Sequence, residues 1–359
     1  MLNVRSQSGV CVVAPRTKSA NVTEPVGGIE TRPKLPKGAK NAGYPGFIPP
    51  MLATSRSSPP AGDNWLHEIK FDGYRVQAHI RSDRVKLLTR TGLDWTARFG
   101  VVLAGTLADL PMEEAIIDGE VVAEGSGGAP DFSALQDALS TGRTDRLIFY
   151  AFDLLYLDGY DLRPAPLVGR KAALATLIAP SGMVRFSEHF ESDGKQVFSH
   201  VCRLGLEGVV SKLDAPYRSG RSKGWIKSKC FNRQEFVVAG YVPSTVSSKA
   251  IGSLVLGYFD GGKLIHAGRV GTGFSHKLTE DLFRRLDAMT IPKSPFVKKL
   301  SALDAKRVRF VRPELVAEVE FRTWTTEGLI RHSSFRGLRE DKLAAEVVLE
   351  SEEAARAGR

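Results

Sequence analysis

From residue 65 onward the apolar residues of this chain fall into short strand-like runs, and in a few windows they recur at helical spacing instead. From residue 65 to about 231 short strand patterns are separated by helical ones, which predicts an α+β domain. Asp131 stands where a cap would precede a helix with Phe132, Leu135 and Leu139 on one face. Leu174, Leu177 and Ile178 mark a second helix, and Val197, Val201 and Leu204 a third that stops at Gly205. Beyond residue 233 the pattern changes to strand-like runs at 236–242, 253–259, 264–270 and 316–324 around one helix containing Leu278, Leu282, Phe283 and Leu286. Short strands with a single helix suit a small OB-type barrel. The expected organisation is a flexible basic tail over 1–45, an α+β domain over 46–233, the barrel over 234–349 and a terminal tail over 350–359.

Composition changes this picture little. The 359 residues are 42% hydrophobic and 25% charged, which allows two soluble domains. A formal charge of +10 points to a polyanionic partner, because each phosphate neutralised by Lys or Arg releases counterions. Arg5, Arg16, Lys18, Arg32, Lys34, Lys37 and Lys40 face only Glu24 and Glu30 in the first 45 residues, so the body is only mildly basic. Cys11, Cys202 and Cys230 lie far apart without a Cys-x-x-Cys pair, which argues against a structural zinc site and a disulfide framework and fits a reducing cytoplasm. No segment approaches the ~20 apolar residues of a membrane span. A monomer without membrane attachment, cytoplasmic and associated with the nucleoid, is expected.

The chemistry lies in a series of short runs. Lys70-Phe71-Asp72-Gly73-Tyr74-Arg75 places a lysine, an acid and an arginine around a glycine turn, although a polar β-turn reads the same way. A lysine amine attacks only when neutral, so Lys70 would need neighbouring cations or a dry pocket. Leu88-Thr89-Arg90-Thr91-Gly92 puts an arginine in a turn. Ile117-Asp118-Gly119-Glu120-Val121 embeds two acids in an apolar strand, where carboxylates are rare unless paired or metal-bound. Phe149-Tyr150-Ala151-Phe152 reads first as a core strand. Glu207-Gly208-Val209-Val210-Ser211-Lys212 bears an acid and a lysine at its ends. In Trp225-Ile226-Lys227-Ser228-Lys229 two ammonium groups face the same side of a strand, which is unfavourable unless an anion such as phosphate lies between them.

Taken in order over residues 46 to 346, these runs resemble the motif set of covalent nucleotidyltransferases. With Arg331-His332-Ser333-Ser334-Phe335-Arg336-Gly337-Leu338-Arg339-Glu340-Asp341-Lys342, they are similar to ATP-dependent DNA ligases, nearest to the ligase module of bacterial ligase D and its stand-alone relatives. The segment Arg331-His332-Ser333-Ser334-Phe335 has serine where those relatives more often show proline, a change of loop stiffness more than of chemistry. The resemblance implies a nucleotidyltransferase (adenylation) domain followed by the OB-fold domain, with Lys70 as the adenylylated lysine.

It also implies roles for the other residues. Glu68, with the backbone of Ile69, would read adenine, Arg75 and Glu120 would contact ribose, and Phe152 would stack on the base. Asp72, Glu120 and Glu207 would hold Mg²⁺, or Mn²⁺ in its place. Lys227 and Lys229 would contact the α-phosphate, Arg90 the nick phosphate, and Arg339, Asp341 and Lys342 would orient pyrophosphate. ATP is expected as substrate, because NAD-using ligases carry a further module and a four-cysteine zinc site. Nicked or broken duplex DNA is the expected partner, with end-binding or repair-polymerase proteins beside it. The rival readings are a capping-type or RNA ligase and a non-catalytic DNA-binding protein.

Overall fold

In the computed structural model the described residues are 33–350 apart from 83, 126, 127, 180, 181 and 326. Two sheets build the first domain. The larger has the order Lys40–Asn41, Tyr160–Asp161, Leu147–Leu157, Glu114–Ala123, Tyr74–Arg81, Arg84–Thr89, all antiparallel, with Val184–Phe186 added parallel to Leu147–Leu157. The smaller has the order Met51–Ser55, Gly220–Lys229, Gly208–Leu213, Trp65–Ile69.

Strand Tyr74–Arg81 shows why the domain has layers. Tyr74, Val76, Ala78 and Ile80 are buried against the helices, packing with Phe99, Leu103, Phe132 and Leu135. The alternate side chains Gln77 and His79 are buried as well, on the face turned to the second sheet, so polar residues there must find partners. Gln77 does so by clamping the backbone of Ile48 at 3.0 Å in both directions. Ile116, Phe152, Tyr217 and Trp225 fill the space between the sheets. Phe152 and Trp225 also line the candidate cleft, which opens at this level.

The helices at Phe132–Thr141, Leu167–Leu177 and Gly194–Arg203 match the expected ones, and Asp131 caps the first by accepting from the Ser133 and Ala134 amides. A buried ion pair braces the second: Arg170 donates to both oxygens of Asp153 at 2.7 and 2.9 Å, with the two side chains 1% and 0% exposed. Arg170→Met would strand the Asp153 carboxylate in the core. The expected loss is about 3–5 kcal/mol of unfolding free energy, read from urea denaturation against the parent chain.

The second domain is the OB-type barrel. Lys263–Val270, Ile251–Asp260, Asn232–Pro243, Arg309–Val311 and Thr290–Ile291 are neighbours in that order, and Val316–Phe321 and Ser334–Leu338 extend it from Asn232–Pro243. Helix His276–Asp287 buries Leu282 and Leu286 against it. Among the described residues no helix is long and apolar enough to cross a membrane.

Three expectations are corrected. Lys40–Asn41 pairs with Tyr160–Asp161, and the Tyr44 hydroxyl bonds His79 at 2.8 Å, so part of the expected tail belongs to the fold; residues 1–32 lie outside the described set. Cys202 and Cys230 form a disulfide, because helix Gly194–Arg203 packs on strand Gly208–Leu213 and brings together cysteines 28 positions apart. Cys11 lies outside the described residues. Finally, Glu350 is held inside the structure rather than in a terminal tail, while 351–359 are not described.

Candidate active site

Strand pairing delivers the key side chains to one place. In the smaller sheet Ile69 lies opposite Val209 and Glu68 opposite Val210, while Val210 is opposite Lys227 and Gly208 opposite Lys229. This register sets Lys70 beside Glu207: its amide donates to the Gly208 carbonyl at 2.8 Å, and its Nζ donates to Glu207 Oε2 at 2.6 Å. Glycine is required twice. A Cβ on Gly73 would lie 2.2 Å from the Val121 carbonyl oxygen, and one on Gly208, at φ +151°, would lie 2.1 Å from that of Ser228.

The larger sheet contributes Arg75, Glu120 and Phe152, and the barrel contributes Glu235, Glu318, Arg339 and Lys342. Together they line a cleft whose wall also includes Glu68, Ile69, Lys70, Asp72, Arg90, Glu207, Lys227 and Lys229. Every sequence-predicted site residue except Asp341 is on its wall. Asp341 is 1% exposed and grips Arg339 through two hydrogen bonds of 2.9 Å. It holds in place an arginine whose guanidinium lies 5.4 Å from the Tyr74 ring and 5.2 Å from that of Phe132 in the first domain.

Several assigned side chains are already engaged. Glu68 accepts from Lys171 at 2.9 Å, from Lys212 at 2.9 Å and from the Ser187 hydroxyl at 3.0 Å. Burial would raise its pKa, but the two lysines lower it. Arg75 gives two hydrogen bonds to Asp118, at 3.0 and 2.7 Å, and one to the Met51 carbonyl at 2.6 Å, leaving it little freedom to reach a ribose directly. The Phe152 ring has the Lys212 ammonium 4.1 Å from its centroid. Arg90 donates to Glu346 at 2.6 Å, and Lys342 to Glu235.

The charge state of Lys70 departs from the expectation. Burial works most strongly against its ammonium, yet Glu207 and Glu120 together outweigh burial and the nearby Lys229, and the pKa ends above the ordinary lysine value. Neighbouring cations therefore do not free the amine while that ion pair is made. By contrast, burial lowers Lys227 to about 8 despite Glu350, and pushes Glu120 up to about 8 despite Lys70.

The expected metal trio is not gathered. Among the described residues no three acidic, histidine or cysteine side chains form a ligand cluster, and Asp72 pairs with Arg233 instead. Mg²⁺ commonly takes one or two carboxylates and completes its shell with water and substrate phosphates. Glu207 and Glu120, two hard oxygen donors on the cleft wall beside Lys70, fit that habit.

Sequence reasoning left Lys171, Arg233, Glu235, Glu318 and Glu350 without roles. One signal was available only through the pairing: Glu235 lies directly opposite Glu318 in the barrel, a like-charge pair that calls for cations between them. Arg339 supplies one, 3.0 Å from Glu318 and 3.8 Å from Glu235.

Comparison with known proteins agrees with this geometry. Residues 50–229 match the family model described as ATP dependent DNA ligase domain, and residues 247–342 match ATP dependent DNA ligase C terminal region. The multifunctional non-homologous end joining protein LigD of Pseudomonas aeruginosa is 41% identical over 84% of this chain and 36% of its own length. The Mycobacterium tuberculosis LigD is 40% identical over 84% of this chain and 40% of its own. The chain thus spans about two fifths of these relatives or less. A solved structure titled mycobacterial DNA ligase D complexed with ATP and MES superposes with a TM-score of 0.63 at 39% identity, covering 83% of this chain and 97% of that one. With its nucleotide-cleft domain and its barrel matched in order by the two halves of one enzyme class, the chain belongs to the ATP-dependent DNA ligases.

Proposed function

We propose that this chain seals breaks in duplex DNA between a 5′-phosphate and a 3′-hydroxyl, and that it does so in DNA repair by end joining. The observation that carries the reading is Lys70 on the wall of a cleft that Lys227 and Lys229 line from one face of a strand. Lys70 Nζ would attack the α-phosphorus of ATP and release pyrophosphate. The AMP would then pass to the DNA 5′-phosphate, and the 3′-hydroxyl would displace it. Each transfer is an in-line displacement that depends on positioning and on positive charge around the phosphoryl group.

Lys70 has to leave its pair with Glu207 before its amine is nucleophilic. Mg²⁺, for which Mn²⁺ would substitute, would supply charge neutralisation at the phosphate, with Glu207 and Glu120 the acids placed to hold it. Lys227 and Lys229 would seat the α-phosphate, and Arg339 and Lys342 would orient the departing pyrophosphate. Lys171 and Lys212 fix Glu68, and with it the adenine-reading edge of the strand Trp65–Ile69.

Incubation with α-labelled ATP and Mg²⁺, followed by a denaturing gel and a chase with nicked duplex, tests the reading. An AMP adduct that disappears as sealed DNA forms is expected. Labelling by GTP, or sealing of RNA ends alone, would favour a capping-type or RNA ligase, and no adduct at all would leave a DNA-binding protein. Phe152→Ala is expected to weaken ATP binding by about 1–3 kcal/mol, the scale of base–aromatic stacking. Titration of the folded variant checks it, and unchanged affinity would make Phe152 a packing residue only. The names of the LigD relatives support an end-joining role, with broken ends and repair proteins as partners. Sealing of blunt-ended against nicked duplex, with and without an added end-binding protein, tests that part.

A further inference from the structure

Glu350, from the far end of the described chain, occupies the space between the two lysines. Its Oε1 accepts from Lys227 Nζ at 2.8 Å and its Oε2 from Lys229 Nζ at 3.0 Å, with the carboxylate side chain 20% exposed. The contact is built rather than incidental. The Glu350 amide donates to Gln234 Oε1 at 3.0 Å, Val347 accepts from the Phe259 amide at 2.7 Å, and Glu346 accepts from Arg90 at 2.6 Å. The segment from the last motif is thereby laid along the barrel and ends with its acid in the cleft.

Two parallel ammonium groups on one strand face require an anion. A carboxylate gripped by one oxygen per lysine presents the charge and spacing of two non-bridging phosphate oxygens. We propose that Glu350 is an intramolecular stand-in for the nucleotide phosphate, which fills the seat between Lys227 and Lys229 and must be displaced when ATP binds. This rests on the reading of those lysines as the α-phosphate contacts. Two anions cannot share the seat without repulsion, so nucleotide competes with the chain's own carboxylate. Gln234 and Phe259, to which the terminal segment is fastened, belong to the barrel strands Asn232–Pro243 and Ile251–Asp260, so displacement also loosens a strap that joins the barrel to the cleft.

Equilibrium titration of the full chain with ATP in the absence of divalent cation, run in parallel with adenosine, is the test. Glu350→Gln is expected to bind ATP roughly tenfold more tightly than the parent, as for a ligand whose competent state is populated about one part in ten. Adenosine, which carries no phosphate, should bind both proteins equally. Glu350→Ala provides a second variant, and melting of each confirms the fold. Unchanged or weaker ATP binding by both variants would overturn the proposal, as would an equal gain for adenosine. Lys227→Ala and Lys229→Ala separate the two levels. If they lose ATP affinity while the Glu350 variants gain none, the stand-in fails and the phosphate reading survives. If they lose nothing, that reading fails first.

Discussion

Lys70→Ala is expected to abolish covalent labelling by ATP, below the detection limit of a gel on which the parent chain is fully labelled. No other matched nucleophile is available, and none of the cleft's other lysines is free to replace it. Lys212 is locked onto Glu68 and Lys342 onto Glu235, while Lys227 and Lys229 hold the anion seat. The fold should survive, because the backbone bond from the Lys70 amide to Gly208 does not involve the side chain. What is lost is the Glu207 ion pair, whose carboxylate retains Lys229 and Arg233 among its neighbours. Sealing of a nick whose 5′-phosphate already carries AMP is expected to persist, since that step needs no lysyl adduct. A labelled Lys70→Ala protein, with the AMP mapped to another residue, would refute the assignment.

The second large effect concerns the barrel. Asp341→Ala is expected to slow lysine adenylylation at least a hundredfold, while sealing of pre-adenylylated nicks falls by less than threefold; the former is about 2.7 kcal/mol of transition-state stabilisation. The contrast follows from geometry. Asp341 does not line the cleft, but it accepts from Nε and Nη2 of Arg339, whose Nη1 bonds Glu318, and Arg339 lies against Tyr74 and Phe132 of the other domain. A guanidinium held there can meet a departing pyrophosphate only while the barrel covers the nucleotide, and the final step releases no pyrophosphate. Single-turnover rates on the two substrates decide it. Equal losses would mean that Asp341 serves the fold or the DNA.

Local signals carried the sequence reading, and non-local ones escaped it. The helix at Phe132–Thr141 was legible because its cap and its apolar face lie within ten consecutive residues. Lys227 and Lys229 were legible because period two sets both on one face, and Lys70 because its glycine turn sits among residues of distinctive type. The disulfide depends on how a helix meets a strand, which neither cysteine's neighbours reveal. Lys171 looks like an ordinary helix-surface cation until the fold buries it on Glu68, 103 positions away. Lys70 was expected to be freed by cations, because the count of nearby charges omitted Glu207 at 2.6 Å. Glu350 could not be read at all, since its partners are 121 and 123 positions distant.

The like-charge pair Glu235 and Glu318 ties the last motif to the charge balance of the whole barrel. Arg339 and Lys342 are the counter-ions of those acids as well as residues facing the cleft, and Asp341 in turn balances Arg339. Neutralising any one member leaves charge stranded in a place nearly closed to water. A replacement that keeps this cluster neutral therefore needs a second one of opposite sign on a strand distant in sequence. The stability of the barrel and the shape of the cleft wall then depend on the same few side chains.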